Sequence, residues 1–259
     1  MRNIFAIVRK ELLQYFTTSV AYWVFAVFSL VTSFFFIRIL TFFQRSIMIN
    51  SQMRPQMLQY MNFTDQVLAP LFYNAAVILI FVAPFLTMRL IAEERRARTF
   101  DLLLTNPVTP FQIALGKYLA SLVVLLVMVL LTLVYPLLVS VYAEVGAVAW
   151  STVLTGVLGI FLLGASFTAI GMFVSSLTQS QVVAAFLTFL VLLLLWVVGW
   201  AGADNAGLAR EILTGLSAIE HIRGFAKGVI DLKDLAYYAS LIGLGLFFTH
   251  RSIETLRWR

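Results

Sequence analysis

The sequence contains no cysteine, only two histidines in 259 residues, and little charge: Asp, Glu, Lys and Arg together make up 12%. Without cysteine there can be no disulfide, thiolate metal site or cysteine nucleophile. There is no GxxxxGK(S/T) phosphate loop, so the chain is not expected to hydrolyse ATP by itself, and no HExxH zinc motif or GxSxG elbow. His221 and His250 are isolated and lie outside the centres of the apolar runs, so solvated or capping roles are expected over catalysis. The scarcity of charge has a counterpart. Hydrophobic residues reach 61% and mean hydropathy is +0.96, where ordinary soluble domains carry ~45–50% apolar and ~25% charged residues. No soluble core of this length needs so many apolar side chains, so lipid must solvate much of the surface.

What is present is a series of apolar runs. Six spans are expected, at residues 20–39, 71–88, 118–141, 152–174, 182–200 and 235–249, the last being the shortest. The first is long and has no small-residue cleavage site after it, which reads as a retained helix and not a signal peptide. The expected fold is therefore all-α, a single six-span membrane domain over residues 1–259. It divides into an amphipathic segment at 1–19, the bundle at 20–249 and a tail at 250–259. Only Arg38 falls within a span, near an end from which it can snorkel. A charge at mid-bilayer normally marks an ion path or proton relay, so an ion-coupled transporter is disfavoured.

With six spans, both termini share a side with the loops after the second and fourth. That side holds 11 of the 18 basic residues and 5 of the 12 acidic ones, net +6, against 7 and 7 on the other, net 0. The positive-inside bias puts both termini in the cytoplasm. Basic residues facing anionic lipid account for a pI near 9.8 without nucleic acid.

Local patterns refine this picture. In residues 2–16, Ile4, Val8, Leu12 and Tyr15/Phe16 recur at helical spacing, with Arg9, Lys10 and Gln14 off that line. This suits a helix in the headgroup layer, or else a plain extension of the first span. Met53, Met57 and Met61 stack on one helical face in the polar segment 44–70. The stripe reads as a short helix resting on the membrane, with Cu(I) ligation the alternative. Pro84 and Pro136 should kink the second and third spans or mark irregular ends. The fourth span is rich in small residues, including the pairs Ala165/Ala169 and Gly171/Ser175. Such pairs allow close helix approach, within the bundle or against another subunit. Residues 201–234 become amphipathic, with Leu208, Ile212, Leu216 and Ile219 aligned, and predict one or two helices dipping into the outer leaflet.

The most informative segment is a charged island, Glu93-Glu94-Arg95-Arg96-Ala97-Arg98-Thr99-Phe100-Asp101-Leu102-Leu103-Leu104-Thr105-Asn106-Pro107, between the second and third spans. Thr99 can cap a short helix with Asp101 in its first turn, and Pro107 stops it. Thr109-Pro110-Phe111-Gln112 is a second start signal, with a cap, a proline at the first position and a capping-box glutamine. The island reads as a docking place for a soluble partner, or as a solvated loop whose charges only set topology.

The order of these features resembles the permease subunit of ABC-2-type transporters. The matching pieces are Arg9-Lys10-Glu11-Leu12, Met88-Arg89-Leu90-Ile91-Ala92-Glu93-Glu94-Arg95, Thr99-Phe100-Asp101-Leu102-Leu103-Leu104-Thr105-Asn106-Pro107-Val108 and Gly116-Lys117. Phe225-Ala226-Lys227-Gly228-Val229-Ile230-Asp231 and Arg257-Trp258-Arg259 are similar to its gliding-motility branch. The resemblance implies an N-terminal elbow helix carrying Arg9, Lys10 and Glu11. It also implies a coupling helix that meets a separate ATPase through Glu93, Glu94, Arg95, Thr99, Asp101, Leu102, Leu103 and Thr105. Residues 175–181 would be a second, smaller contact. ATP and Mg2+ would sit on the ATPase, with no cofactor, metal or catalytic residue in this chain. Two permease chains would pair in the bacterial inner membrane, with or without a periplasmic auxiliary protein, and substrate would move outward. The sequence departs from the family at Val20, often proline after Thr-Ser, and at Arg98, usually glycine. Two functions compete: an ATP-driven exporter subunit, and a non-transporting scaffold through which an ATPase acts on an outer protein.

Overall fold

The computed structural model describes residues 2–53, 56, 62–99, 108–142, 148–203 and 207–257. Among these there is no strand. The helices are α1 (Arg2–Thr17), α2 (Ser19–Met53), α3 (Ala69–Thr87), α4 (Ala92–Arg96), α5 (Pro110–Leu130), α6 (Val134–Tyr142), α7 (Trp150–Leu177), α8 (Gln181–Ala203), α9 (Leu208–Leu216), α10 (Ala218–Ala226) and α11 (Leu232–Arg257). Among the described residues, five runs are long and apolar enough to cross a bilayer: Ala21–Gln52, Thr64–Arg96, Pro110–Tyr142, Trp150–Leu177 and Gln181–Ala201. The expected sixth span falls in α11, whose 26 residues have the length but frame their uncharged stretch with Lys233, Asp234, Arg251 and Glu254.

Several boundaries differ from the sequence pattern. α2 does not end near residue 39 but continues to Met53, 35 residues in all, or ~52 Å at 1.5 Å per residue. The first ten residues of the polar segment 44–70 are thus the end of this helix and not a separate surface helix. Met53 closes α2, while Met57 and Met61 lie outside the described residues. A π-helical turn, Thr64–Leu68, leads into α3. Pro84 lies inside α3, which runs on through it. Pro136 has a larger effect. It cannot donate to the carbonyl of Thr132, and the third run breaks there into a 3-10 turn, Leu131–Leu133, between α5 and α6. The Thr109 capping box forms as expected: Gln112 N donates to Thr109 Oγ1 and Thr109 N to Gln112 Oε1, both at 3.3 Å.

α7 is the central post, packed against α3, α5, α8, α10 and α11. Its apolar window and that of α3 are 72% buried, against 22% for α2 and α8. Small residues make this possible. A Cβ on Gly156 would fall 2.1 Å from the Phe72 ring, and one on Gly171 would fall 2.2 Å from Thr87 Oγ1. Gly245 of α11 lets its backbone reach Ala169, where a Cβ would meet the Ala169 carbonyl carbon at 2.8 Å. The small-residue face is therefore spent inside the bundle.

At the far end, the segment after α8 forms two helices of opposite character. No residue of α9 is buried, and Leu208, Ile212 and Leu216 stand exposed along one side. α10 is sunk into the bundle, with Ala218, Ile222, Phe225 and Ala226 all buried. His221 fastens it: Nδ1 lies 2.6 Å from Asp234 Oδ1, and Nε2 3.0 Å from the Gly215 carbonyl at the end of α9. The ring stacks on Tyr237 at 3.8 Å. His221 thus caps a helix terminus, one of the two roles expected of it, but is buried and not solvated.

Candidate functional site at the charged end of the bundle

The island begins where α3 runs out, at the end of the bundle that also holds α1, the start of α5 and the close of α7 and α11. Three sets of contacts build it. The first is supplied by α7. Ser175 Oγ accepts from the backbone N–H groups of Ile91 and Ala92, at 3.2 and 3.1 Å, and donates to the Met88 carbonyl at 3.1 Å. The first N–H groups of α4 have no partner within their own helix, so a serine from another helix satisfies them. Arg95 Nη1 donates to the Ser176 carbonyl, which Ser252 Oγ of α11 also reaches at 3.3 Å. Ile253 packs beside Leu90 and Ile91. The turn and α4 are therefore seated on the ends of α7 and α11.

The second set is ionic. Lys117, in the second turn of α5, is 1% exposed. Its Nζ hydrogen-bonds Glu11 Oε1 of α1 at 2.7 Å and pairs with Glu94 Oε2 of α4 at 3.0 Å. Lys10 Nζ closes the circuit on Glu94 Oε1 at 2.7 Å, with Glu11 Oε1 3.8 Å away. Two cations and two carboxylates give no net charge, and each carboxylate is shared between lysines. Burial works against the Lys10 charge, but the Glu94 hydrogen bond and the charges of Glu94 and Glu11 outweigh it and hold the ammonium above the ordinary lysine value. Tyr15 adds a bond from α1 to the Leu86 carbonyl at 2.6 Å. Gly116 gives α1 its close seat, since a Cβ there would lie 2.8 Å from Ile7 Cγ2.

The third set ends α4. Arg98 N donates to the Arg95 carbonyl at 3.3 Å and Thr99 N to the Glu94 carbonyl at 3.1 Å. These are the paired bonds of a Schellman turn, with Arg98 in its left-handed position at φ 54°. Glycine suits that position best because it has no Cβ to clash. This accounts physically for the glycine usual here in the ABC-2 pattern, and Arg98 holds the same backbone at a conformational cost.

The sequence-predicted site residues divide accordingly. Glu94 and Glu11 are buried and face inward onto Lys117. Glu93 is half-buried and paired with Arg89 at 3.2 Å. Arg95 is half-buried against Ser176. Arg9 and Lys10 are exposed on α1, as are Arg96 at the end of α4 and Arg98 and Thr99 beyond it. Asp101, Leu102, Leu103 and Thr105 lie outside the described residues. Lys117 was not among the predicted residues. Its signal was a lone lysine at the threshold of an apolar run, matched by Glu11 one helical turn beyond Ile7 on the side of α1 that packs. In the short connection 178–180, Gln179 and Ser180 are exposed, whereas Ser175 and Ser176 are buried.

These elements define a multi-pass helical membrane protein with a charged, internally cross-linked platform at one end. The family model described as ABC-2 family transporter protein matches residues 5–219, and the chain belongs to that family. It is a transmembrane permease component of an ABC transporter, a class whose membrane subunits are not themselves ATPases and work with an ABC ATPase. No curated protein matches the chain.

Proposed function

We propose that this chain is the permease half-unit of an ATP-driven exporter of the gliding-motility branch, engaged by a separate ATPase subunit at its charged end. In this reading α11 is the sixth span, α1 is the elbow helix and both termini face the cytoplasm of a bacterial inner membrane. The ATPase engages the island, with Thr99, Asp101, Leu102, Leu103 and Thr105 among the residues it meets. ATP and Mg2+ are bound by the ATPase, and two permease chains pair to enclose the path. The observation that carries the reading is the wiring of α4. This five-residue helix is bonded to α1 and α5 through Glu94, to α7 through Ser175 and Ser176, and shares the Ser176 carbonyl with α11. A load applied to the island therefore reaches four other helices at once, as a nucleotide-driven permease requires.

Purification of the tagged chain from its native membrane in mild detergent, followed by mass spectrometry, tests this. An ATP-binding subunit at one per permease is expected. Absence of any ATPase across several detergents overturns the reading. Within the complex, Leu103→Glu or Asp101→Lys should release or uncouple the ATPase while membrane insertion stays intact. Glu94 is unsuited to that test because its carboxylate holds the bundle together. Nucleotide-dependent movement of solute across vesicles separates an exporter from a subunit that only transmits force to a periplasmic protein, which would bind that protein tightly without transport.

A further inference from the structure

His221 is buried, and each of its ring nitrogens faces an acceptor: Nδ1 the Asp234 carboxylate at 2.6 Å and Nε2 the Gly215 carbonyl at 3.0 Å. A neutral imidazole carries one N–H and one lone pair, whereas the imidazolium carries two N–H groups. The neutral ring can therefore satisfy one of these contacts, and its lone pair is then set against the other oxygen. The charged ring satisfies both. Space for the counter-charge is built in at Gly224, where a Cβ would lie 3.2 Å from Asp234 Oδ2. The stacked Tyr237 holds the ring in its plane. Among the described residues no other ionic group is bonded to the ring. α3, α7 and α8 pack against α10 and hold no Asp, Glu, Lys, Arg or other His; Tyr73 of α3 is their one titratable side chain. On α10, Glu220 and Arg223 pair with each other at 3.1 Å. Arg210 and Glu211 of α9, Lys227, Asp231 and Lys233 are exposed, and Tyr238 meets the ring edge-on at 6.4 Å.

The Nε2 contact holds the end of α9, a helix that is lightly fastened. None of its residues is buried. It begins after Gly207, whose φ of 70° suits glycine alone. Among the described residues, the other side-chain tie from the bundle to its closing carbonyls is Tyr237 Oη to Leu216 at 2.9 Å. We propose that His221 is a pH switch for α9. The imidazolium bonds Asp234 and Gly215 together. When the ring loses a proton, the remaining N–H stays with the carboxylate, the stronger acceptor, and the Gly215 carbonyl is released. Histidine changes charge between ~pH 5 and 8, so α9 is fastened in acid and loosened as the pH rises. Leu208, Ile212 and Leu216 are exposed along one side of α9, so its release frees an amphipathic helix to shift against the membrane surface. The switch needs neither an ATPase nor a particular membrane orientation, so its failure would leave the proposed function untouched, and the reverse holds too.

Ring-nitrogen NMR of the purified full chain in detergent, labelled with 15N-histidine, reads the switch directly. The chain has only two histidines, and His250→Gln assigns the pair. Both His221 nitrogens should carry protons at about pH 5.5, and Nδ1 alone at about pH 8, the two ends of the histidine range. Hydrogen exchange at residues 208–217, corrected for its intrinsic pH dependence, should be about tenfold faster at the higher pH, the factor expected for one lost charge-assisted hydrogen bond. Exchange in the middle of α7 should not change. His221→Phe keeps a ring to stack on Tyr237 but has no nitrogen, and exchange in α9 should be fast at both pH values. Asp234→Asn removes the counter-charge and should move the transition to lower pH. An unchanged proton inventory at His221 would overturn the proposal. So would exchange in α9 that does not follow that inventory, or a pH dependence that survives in His221→Phe. The first two are read on the unmutated protein and decide the matter even if His221→Phe fails to fold.

Discussion

Lys117 Nζ lies 2.7 Å from Glu11 Oε1, although 106 residues separate them in the chain. The lysine is all but sealed from solvent and its second carboxylate, Glu94, comes from a third helix. This ion pair, together with the Lys10–Glu94 contact and the Tyr15 bond to the Leu86 carbonyl, fixes where α1 sits against the apolar surface of α5.

Removing the lysine should therefore be far worse than removing its exposed neighbour. Lys117→Met leaves Glu11 buried without its closest cation and strips Glu94 of one of its two, at a cost of about 3–5 kcal/mol. Lys10→Ala removes a side chain that is half exposed and should cost about 0–1 kcal/mol. Thermal unfolding in detergent gives the order, and protease cleavage between α1 and α2 in Lys117→Met would show release of α1. Equal effects would mean that the network does not anchor α1.

Ser175→Ala should loosen the island without disturbing the spans. It removes the acceptor for Ile91 N and Ala92 N and the donor to Met88 O. Leaving such buried groups unpaired costs about 1–3 kcal/mol. Hydrogen exchange should rise at residues 88–96 and stay unchanged in the middle of α7. Unchanged exchange at the turn would show that another group caps α4.

A suppressor pair tests the seat of α3 on α7. Gly171→Ala places a methyl 2.2 Å from Thr87 Oγ1, and overpacking of this kind costs about 1–3 kcal/mol. Adding Thr87→Ala opens the space and should recover much of the lost melting temperature. The double variant melting below Gly171→Ala would mean that the strain lies elsewhere.

Arg98→Gly should be stabilising. At φ 54° the arginine backbone occupies the left-handed region, which costs a non-glycine residue about 1–2 kcal/mol. Part of that gain is lost to the greater freedom of glycine in the unfolded chain, so a net gain of about 0.5–1 kcal/mol is expected in the melting curve. Arg98→Val should be destabilising, since a β-branched residue tolerates that region least.

The sequence by itself determined the class. Apolar runs near the length of a bilayer and the scarcity of charge required an all-helical multi-pass protein, because helices satisfy their backbone bonds internally in lipid. The Thr109–Gln112 cap, the break near Pro136 and the small-residue face of α7 were legible for the same reason, since each depends on residues within a few positions of one another. The ABC-2 resemblance lay in the order of short motifs, and the family match agrees with it. Tertiary structure alone decided which way the charged residues face. Glu94 looked like an exposed docking residue because helical spacing shows which residues share a face but not what that face meets. Its partner Lys117 comes from α5 and the cap on its helix, Ser175, from α7, more than 80 residues away. His221 likewise looked isolated until the fold brought Asp234 and the end of α9 to its two nitrogens. Local pattern specified the helices, and only their packing, governed by where glycine allows contact and where a buried charge must find its counter-ion, specified the platform they make.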